Sequence, residues 1–368
     1  MHQRFGLSRS PLRLIGLAAV VGAVVAGVAG QSLASSTHST AAGYSVRNLV
    51  SDGLVPAEHT NSNVVNAWGI AAGPTTPWWV ANNGTDTSTL FNGDGTAIPL
   101  VVQVEGGPTG AVFNGSSAFV VNDRRGHSGP ALFMFASENG TIHGWSPAVP
   151  PPPPSTHAFV AVSKIREGAV FKGLAIAGDR LYATDFHNNR VDVFDGSFTQ
   201  INTPGAFADP SLPEGFAPFG IQNVGGRIFV TYGKQDADRH DEVDGPGLGF
   251  VDVYDTSGHL LARVASRGDL NAPWGIAWAP ANFGPFSGDL LVGNFGDGRI
   301  NAYAETTSGH FTHAGELGTT SGTPITIDRL WGIGFGNGSS SGPTNTLYFA
   351  AGPDHESHGL FGRIDAAR

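Results

Sequence analysis

Cysteine is absent from the 368-residue chain, so no disulfide braces it and neither thiol chemistry nor cysteine ligation of a metal is open to it. Charge is scarce as well: only 14% of the residues are Asp, Glu, Lys or Arg, too few to dress the outer faces of many amphipathic helices. Basic charge is the scarcer sign, with 20 Lys and Arg against 30 Asp and Glu and a net charge of −10. That balance, with no basic stripe anywhere, excludes a nucleic-acid partner, because phosphate binding needs a cationic face. What the chain has in excess is glycine, 53 residues of it, beside 24 prolines. Many tight turns and few helices follow, and the composition predicts an all-β protein.

The first 34 residues carry Arg4, Arg9 and Arg13 without an acid, then an apolar run of small residues over 14–30 and the string SLAS. This is the pattern of a secretory signal peptide cut after Ala34, with Ser32 and Ala34 at the −3 and −1 positions. An uncleaved N-terminal anchor is the alternative, the run being about 17 residues long. The arginines stand singly and no cysteine follows, which excludes the twin-arginine and lipoprotein routes. The expectation is an exported, monomeric protein with no membrane attachment after cleavage. Residues 35–43, SSTHSTAAG, read as a flexible spacer, so order should begin near Tyr44.

One phrase recurs along the rest of the chain. NAPWGIAW at 271–278 returns as NAWGIAAG at 66–73, FAPFGIQN at 216–223 and DRLWGIGF at 328–335, with weaker copies in GAVF and GLAI. Aligned on the glycine, the copies fall at Gly69, Gly110, Gly173, Gly220, Gly275 and Gly332, a spacing of roughly 40–65 residues that suits propeller blades. Each clear copy opens a series of short apolar strands separated by Gly, Asn and Asp turns, the grammar of antiparallel hairpins. The glycine is expected on the innermost strand, where neighbouring backbones crowd, and the preceding Trp or Phe is expected to wedge between blades. The last copy supplies only three strands, whereas YSVRNLV at 44–50 is a lone strand before the first. Joining the two gives a six-bladed β-propeller over 44–368, its sixth blade closed by the N-terminal strand. Within the second blade, residues 115–130 read as an insertion and PAVPPPPPST at 147–156 as an external polyproline loop, since proline cannot donate to a ladder.

The string GDRLYATDFHNNRVDVFD is similar to the NHL-repeat propellers. Longer blocks, among them NAWGIAAGPTTPWWVANNGTDTSTLFNGDG, SRGDLNAPWGIAWAPANFGPFSGDLLVGNFGDGRINAY and NTLYFAAGPDHESHGLFG, resemble a secreted bacterial family of uncharacterised proteins. That resemblance implies an NHL-like six-bladed propeller and export. It brings no established activity, so no catalytic residue is carried over. Likeness to the calcium-dependent lactonase and phosphotriesterase propellers is architectural only.

Candidate site residues come from the loops after each second strand, which should gather on one face around the channel. They are Asn82, Asn83 and Asp86; Glu138 and Asn139; Asp185 and His187; Lys234 and the loop that follows it; Asn294 and Asp297; and Asp354, His355, Glu356 and His358. Asn, Asp and Gly are also simply good turn formers, which is the plainer account of the same residues. The loop YGKQDADRHDEVDGPGLGF at 232–250 crowds Asp236, Asp238, His240, Asp241, Glu242 and Asp244 into nine positions. Its carboxylates offer oxygens to Ca2+ or another divalent cation and His240 offers nitrogen, the alternative being a solvated acidic loop. The EF-hand pattern fails, with Asp241 where glycine is needed and Gly247 where a glutamate is needed. GSSSG at 338–342 lacks a strand-to-helix elbow and GPGLG at 245–249 leads into a strand, so neither a hydrolase nucleophile nor a phosphate cradle is read from them.

Two functions fit these residues. In the first, the loop face binds an extracellular partner or a small ligand. In the second, a divalent cation at the channel mouth activates water against an ester, lactone or phosphoester.

Overall fold

The computed structural model describes residues 42–307 and 309–367. The signal peptide, its cleavage point and most of the spacer expected before Tyr44 lie outside the described residues. Among the described residues the chain is strands and turns, with two single-turn 3-10 helices at Asn83–Thr85 and Ile165–Glu167. No described helix is long and apolar enough to cross a membrane.

Six antiparallel sheets follow one another around an axis. The inner strands, in order, are Ala67–Ala71, Pro108–Phe113, Phe171–Ala177, Phe216–Val224, Pro273–Trp278 and Leu330–Phe335. Each packs against the inner strand of the next blade, and the sixth packs against the first. The sixth blade is completed from the N-terminus: Tyr44–Ser51 pairs with Leu360–Ala366, beginning at Tyr44 opposite Ala366. No blade is left with its sequence-distant edge open at the join, which is what closing a ring achieves.

The six glycines of the repeat explain how tightly the ring closes. A Cβ on Gly69 would lie 2.3 Å from the Thr109 carbonyl oxygen, and one on Gly220 would lie 2.1 Å from that of Trp274. On Gly332 it would lie 2.7 Å from the carbonyl of Trp68, so the same contact carries the sixth blade back to the first. Only a residue without Cβ permits this approach. The next residues along, Ile70, Ala111, Leu174, Ile221, Ile276 and Ile333, fill the axis and leave about 30 Å³ between them. That is room for a water or so, not for a ligand to pass. Any site therefore belongs to one end of the axis or to the flanks.

The third and fourth strands of the second blade, Thr141–Trp145 and Phe159–Ser163, are joined through the proline run 147–156, which contains three cis X–Pro bonds. Residues 115–130 form a separate small hairpin, Val120–Asn122 with Ser128–Pro130, laid on the outer part of that blade.

Candidate functional site

The residue before each repeated glycine stands at one end of the axis. Around the ring these are Trp68, Thr109, Lys172, Phe219, Trp274 and Trp331. The aromatic members pack with Phe186 and Phe295 into a plug, in which Trp68 stacks on Trp331 with ring centroids 3.6 Å apart. Stacking of this kind adds about 1 kcal/mol beyond the area it buries. Lys172 stands where four of the blades place an aromatic ring, and its side chain is only 1% exposed.

A buried ammonium needs compensation, and the loops supply it. Lys172 Nζ donates to Glu138 Oε1 at 2.6 Å and to Asp241 Oδ1 at 3.0 Å, and lies 5.2 Å from the Trp68 ring centroid. Its carbonyl accepts from Trp274 Nε1 at 3.1 Å. Asn83 Nδ2 donates to the other oxygen of Glu138 at 2.7 Å. Asn66 connects the far side: its Nδ2 donates to Asn83 Oδ1 at 3.2 Å and to Glu356 Oε2 at 2.9 Å, while its Oδ1 accepts from Trp331 Nε1 at 2.9 Å. Every blade thus contributes to one polar network on top of the aromatic plug.

Local backbone geometry places these groups. Asn66 has φ +45°, a left-handed conformation that asparagine tolerates better than most residues. Asp354, His355 and Glu356 are all left-handed, with φ +55°, +53° and +66°, and the Glu356 amide donates to the Gly352 carbonyl at 2.9 Å. This costly left-handed turn swings Glu356 inward. Glu242 begins a two-residue strand, Glu242–Val243, pairing back on Lys234 and Gln235, which folds the acidic loop over the mouth.

Charge in this network is unevenly protonated. Burial alone would lower the Lys172 ammonium, but Glu138, Glu242 and Asp241 outweigh it and hold the pKa above the ordinary lysine value. Desolvation pushes Glu242 up to about 8 despite the pull of Lys172, with Glu356 adding to the rise. Glu242 is partly exposed as a residue, yet its carboxyl sits within the cluster. Burial raises Glu356 too, again against Lys172. Asp241 moves the other way: its desolvation is overcome by Lys172 and by His240, whose Nδ1 lies 2.9 Å from Asp241 Oδ1. Adjacent carboxyls of opposite character, Asp241 ionised and Glu242 protonated at neutral pH, are thereby held in one mouth.

The structure distributes the sequence-derived candidates as follows. Asn83, His240 and Asp241 are in the network, and Glu356 and Glu138 with them. Asn82, Asp185 and Asn294 end second strands and are fully buried. Asn82 Nδ2 donates to Thr87 and Thr89, and Asn294 Nδ2 to the Asp269 carbonyl and to Asp297. Asp185 accepts the Val170 and Asn188 amides. His187 is half-buried at the rim, Lys234 Nζ lies 5.6 Å from the Phe216 ring centroid, and Asp354, His355 and Asp297 are exposed. Asp236 accepts the His240 amide within its own turn, Asp238 is exposed, and Asp244 faces Arg329 at 3.5 Å.

Among the described residues, Glu138, His240 and Asp241 form a group whose ligand atoms lie within 4.8 Å of one another, the spacing a metal ion needs. Asp236, Asp238 and Asp244 are not in it. Both of its carboxylates already bond Lys172, so an ammonium stands where a divalent cation would have to sit. The fit to a metal is correspondingly poor.

Sequence reasoning missed Lys172 and Asn66. The signal for Lys172 was present, a lysine in a frame otherwise filled by Trp, Phe and one Thr. Asn66 lay inside the repeated phrase and reads there as a turn residue.

Comparison with known proteins adds the following. No family profile matches the chain. An uncharacterised protein of Acanthamoeba polyphaga mimivirus is 33% identical over 335 residues, covering 87% of this chain and 80% of the relative. A second from the same virus is 32% identical over 333 residues, covering 87% and 85%. The chain belongs to the family of these two proteins. These relatives are viral, not bacterial, which corrects the bacterial kinship expected from sequence blocks. Among solved structures, virginiamycin B lyase from Staphylococcus aureus superposes with a TM-score of 0.50 at 15% identity, covering 88% of this chain and 99% of the lyase. A protein of unknown function from Bacteroides thetaiotaomicron does so at 0.55 and 11%, covering 88% and 76%. At these identities the likeness establishes the propeller fold and nothing further.

Proposed function

We propose that this protein is a binding module whose loop face, over the plugged end of the axis, takes a small organic cation. The observation that carries this reading is the gathering of Glu138, Asp241, Glu242 and Glu356 around a single buried ammonium. Four carboxyls against one lysine leave the mouth negative even while Glu242 keeps its proton. Glu356 Oε1 and Asp241 Oδ2 have no hydrogen-bond partner among the described residues, so both are free to accept from an ammonium or guanidinium. The acidic charge of the whole chain adds long-range attraction for such a ligand. The basic-then-apolar stretch before residue 34 supports an encounter after export.

Thermal shift with putrescine, spermidine, agmatine and choline, against their neutral alcohol analogues, tests the reading. At least one cation should raise the melting temperature, less so in high salt and not in Glu356→Gln. A response to the neutral analogues alone, or one indifferent to Glu356→Gln, rejects it.

The Glu138, His240 and Asp241 group favours a second reading, a divalent-metal-dependent hydrolase. It requires Ca2+, Mn2+ or Zn2+ to raise the melting temperature and a chelator to lower it, most strongly when Lys172→Met vacates the cation position. On the binding reading, chelation leaves the melting curve of the native protein unchanged.

A further inference from the structure

Five of the six blades end in an outermost strand of five to eight residues: Ala97–Gln103, Phe159–Ser163, Leu260–Ser266, Phe311–Glu316 and the N-terminal Tyr44–Ser51. In the third blade that strand is only Gln200–Ile201, which pairs with Phe194 and Val193 and then leaves the sheet. The first half of its neighbour, Arg190–Asp195, is therefore paired on the inner side alone. A cleft of about 440 Å³ lies where the rest of the outer strand would run, with Val191 on the sheet side and Thr203, Ala206 and Ala208 opposite.

Alternation along the strand decides which groups the gap leaves open. The Asp195 amide donates outward to the Thr199 carbonyl at 2.9 Å, so the backbone groups of Val193 and Val191, two and four residues back, face outward as well. Val193 meets Ile201, whereas the outward N–H and C=O of Val191 have no partner among the described residues. In the first, second and fourth blades the corresponding residues, Ser88, Ile142 and Val251, pair with Val102, Val162 and Ala265. In the fifth, the Ile300 carbonyl accepts the Leu317 amide at 2.9 Å. An open ladder position of this kind is a template for extended backbone.

The segment that leaves the sheet is held aside and does not return to fill the gap. Phe207 packs between Tyr182 and Tyr254, with ring centroids 5.6 and 5.3 Å away, and its amide donates to the Gly258 carbonyl at 2.8 Å. Asp209 then pairs with Arg263 of the fourth blade. The cleft is thus preformed, and the sixth blade shows how such a place is filled in this fold, by a strand brought from elsewhere. We propose that the outer edge of the third blade takes an extended peptide segment of a partner protein, added as an antiparallel strand. The peptide residue opposite Val191 exchanges two backbone hydrogen bonds with it. Its side chain falls on the face shared by Val191, Val193 and Ile201, beside Ala206, and is apolar. Its two neighbours turn to the other face, where Asp192 Oδ1 lies 2.7 Å from Arg190 Nε and accepts from Gln200 Nε2 at 3.0 Å, and are polar. Polar, apolar, polar over three residues is the pattern this edge selects.

Calorimetric titration with the capped peptides acetyl-Thr-Thr-X-Thr-Thr-amide, X being Val, Ile, Leu or Asp, tests this. At least one with an apolar X should bind the native protein with Kd below about 1 mM, and the Asp peptide at least tenfold more weakly. N-methylation at X removes the donor to the Val191 carbonyl and should also weaken binding at least tenfold. Exchange of the Val191 amide should slow at least tenfold at saturation. Ala208→Trp, at an exposed position, fills the cleft, and Val191→Pro removes only the outward N–H; each should weaken binding at least tenfold. Should Val191→Pro fail to fold, Ala208→Trp still decides. Lys172→Met at the axial mouth should leave the affinity unchanged. The site is overturned if no peptide binds, if the N-methylated form binds equally well, if Ala208→Trp is without effect, or if Val191 exchange is unchanged. Self-association of the native protein that Ala208→Trp abolishes would give the edge to a second copy and overturn the partner. So would a tenfold gain in peptide affinity on removing residues 1–41, which would give it to the N-terminal segment.

Discussion

Glu242 keeps a proton in the folded protein that the open chain would release. Its carboxyl, ordinarily near 4.5, is pushed up to about 8 by desolvation, with Glu356 and Asp241 adding to the rise. Between those two values the folded state binds more protons than the unfolded one, so the stability this group contributes is full below about 4.5 and lost as pH rises through 8. The melting temperature should fall across that window and then level off, and Glu242→Gln should flatten the profile. A native profile that rises between pH 5 and 8, with no difference from the variant, contradicts this protonation. Lys172 shows why the site was only partly legible in sequence. A repeat frame reveals the residue that breaks it, but nothing in the chain's order says that Glu138, Asp241 and Glu356 meet around the exception. Those partners stand 34, 69 and 184 positions away, and only ring closure brings them together.

The inner strands were legible because their job is the same in every blade. A glycine that must accept a neighbour's carbonyl has no substitute, so the same phrase is needed six times. Gly220→Ala should therefore lower stability by about 2 kcal/mol or more, because its Cβ would meet the Trp274 carbonyl oxygen at 2.1 Å and Thr231 Oγ1 at 2.9 Å. Urea unfolding read at the tryptophan fluorescence would show the midpoint fall, whereas an unchanged midpoint would mean that adjacent inner strands slide freely. The second strands were less legible. Asn82, Asp185 and Asn294 look like turn residues at a mouth, yet each strand runs one residue further before turning. Their side chains are spent inside the blade, on strand and loop neighbours. Period-two alternation cannot resolve such a difference of one position, because it reverses the side chain's direction.

For the whole molecule, closure depends on one strand. Removing residues up to 51 would leave Leu360–Ala366 as an open edge facing solvent, with Leu347 and Phe349 of the next strand close behind it. The truncated protein should associate through that edge, and light scattering after size exclusion should show oligomers or aggregate. A monodisperse monomer with the native melting temperature would show that the sixth blade stands without its N-terminal strand.

The same pairing sets an order in time. A ribosome delivers Tyr44–Ser51 early and its partner Leu360–Ala366 more than 300 residues later, roughly 15–60 s at ordinary rates of synthesis. Through that interval the first strand has only a short local pairing, Val50 and Ser51 with His59 and Thr60, and the longest-range pairing in the fold is also the last to form. The join between blades one and six therefore acts as a record of completion: a chain interrupted before residue 360 leaves Tyr44–Ser51 without its main partner.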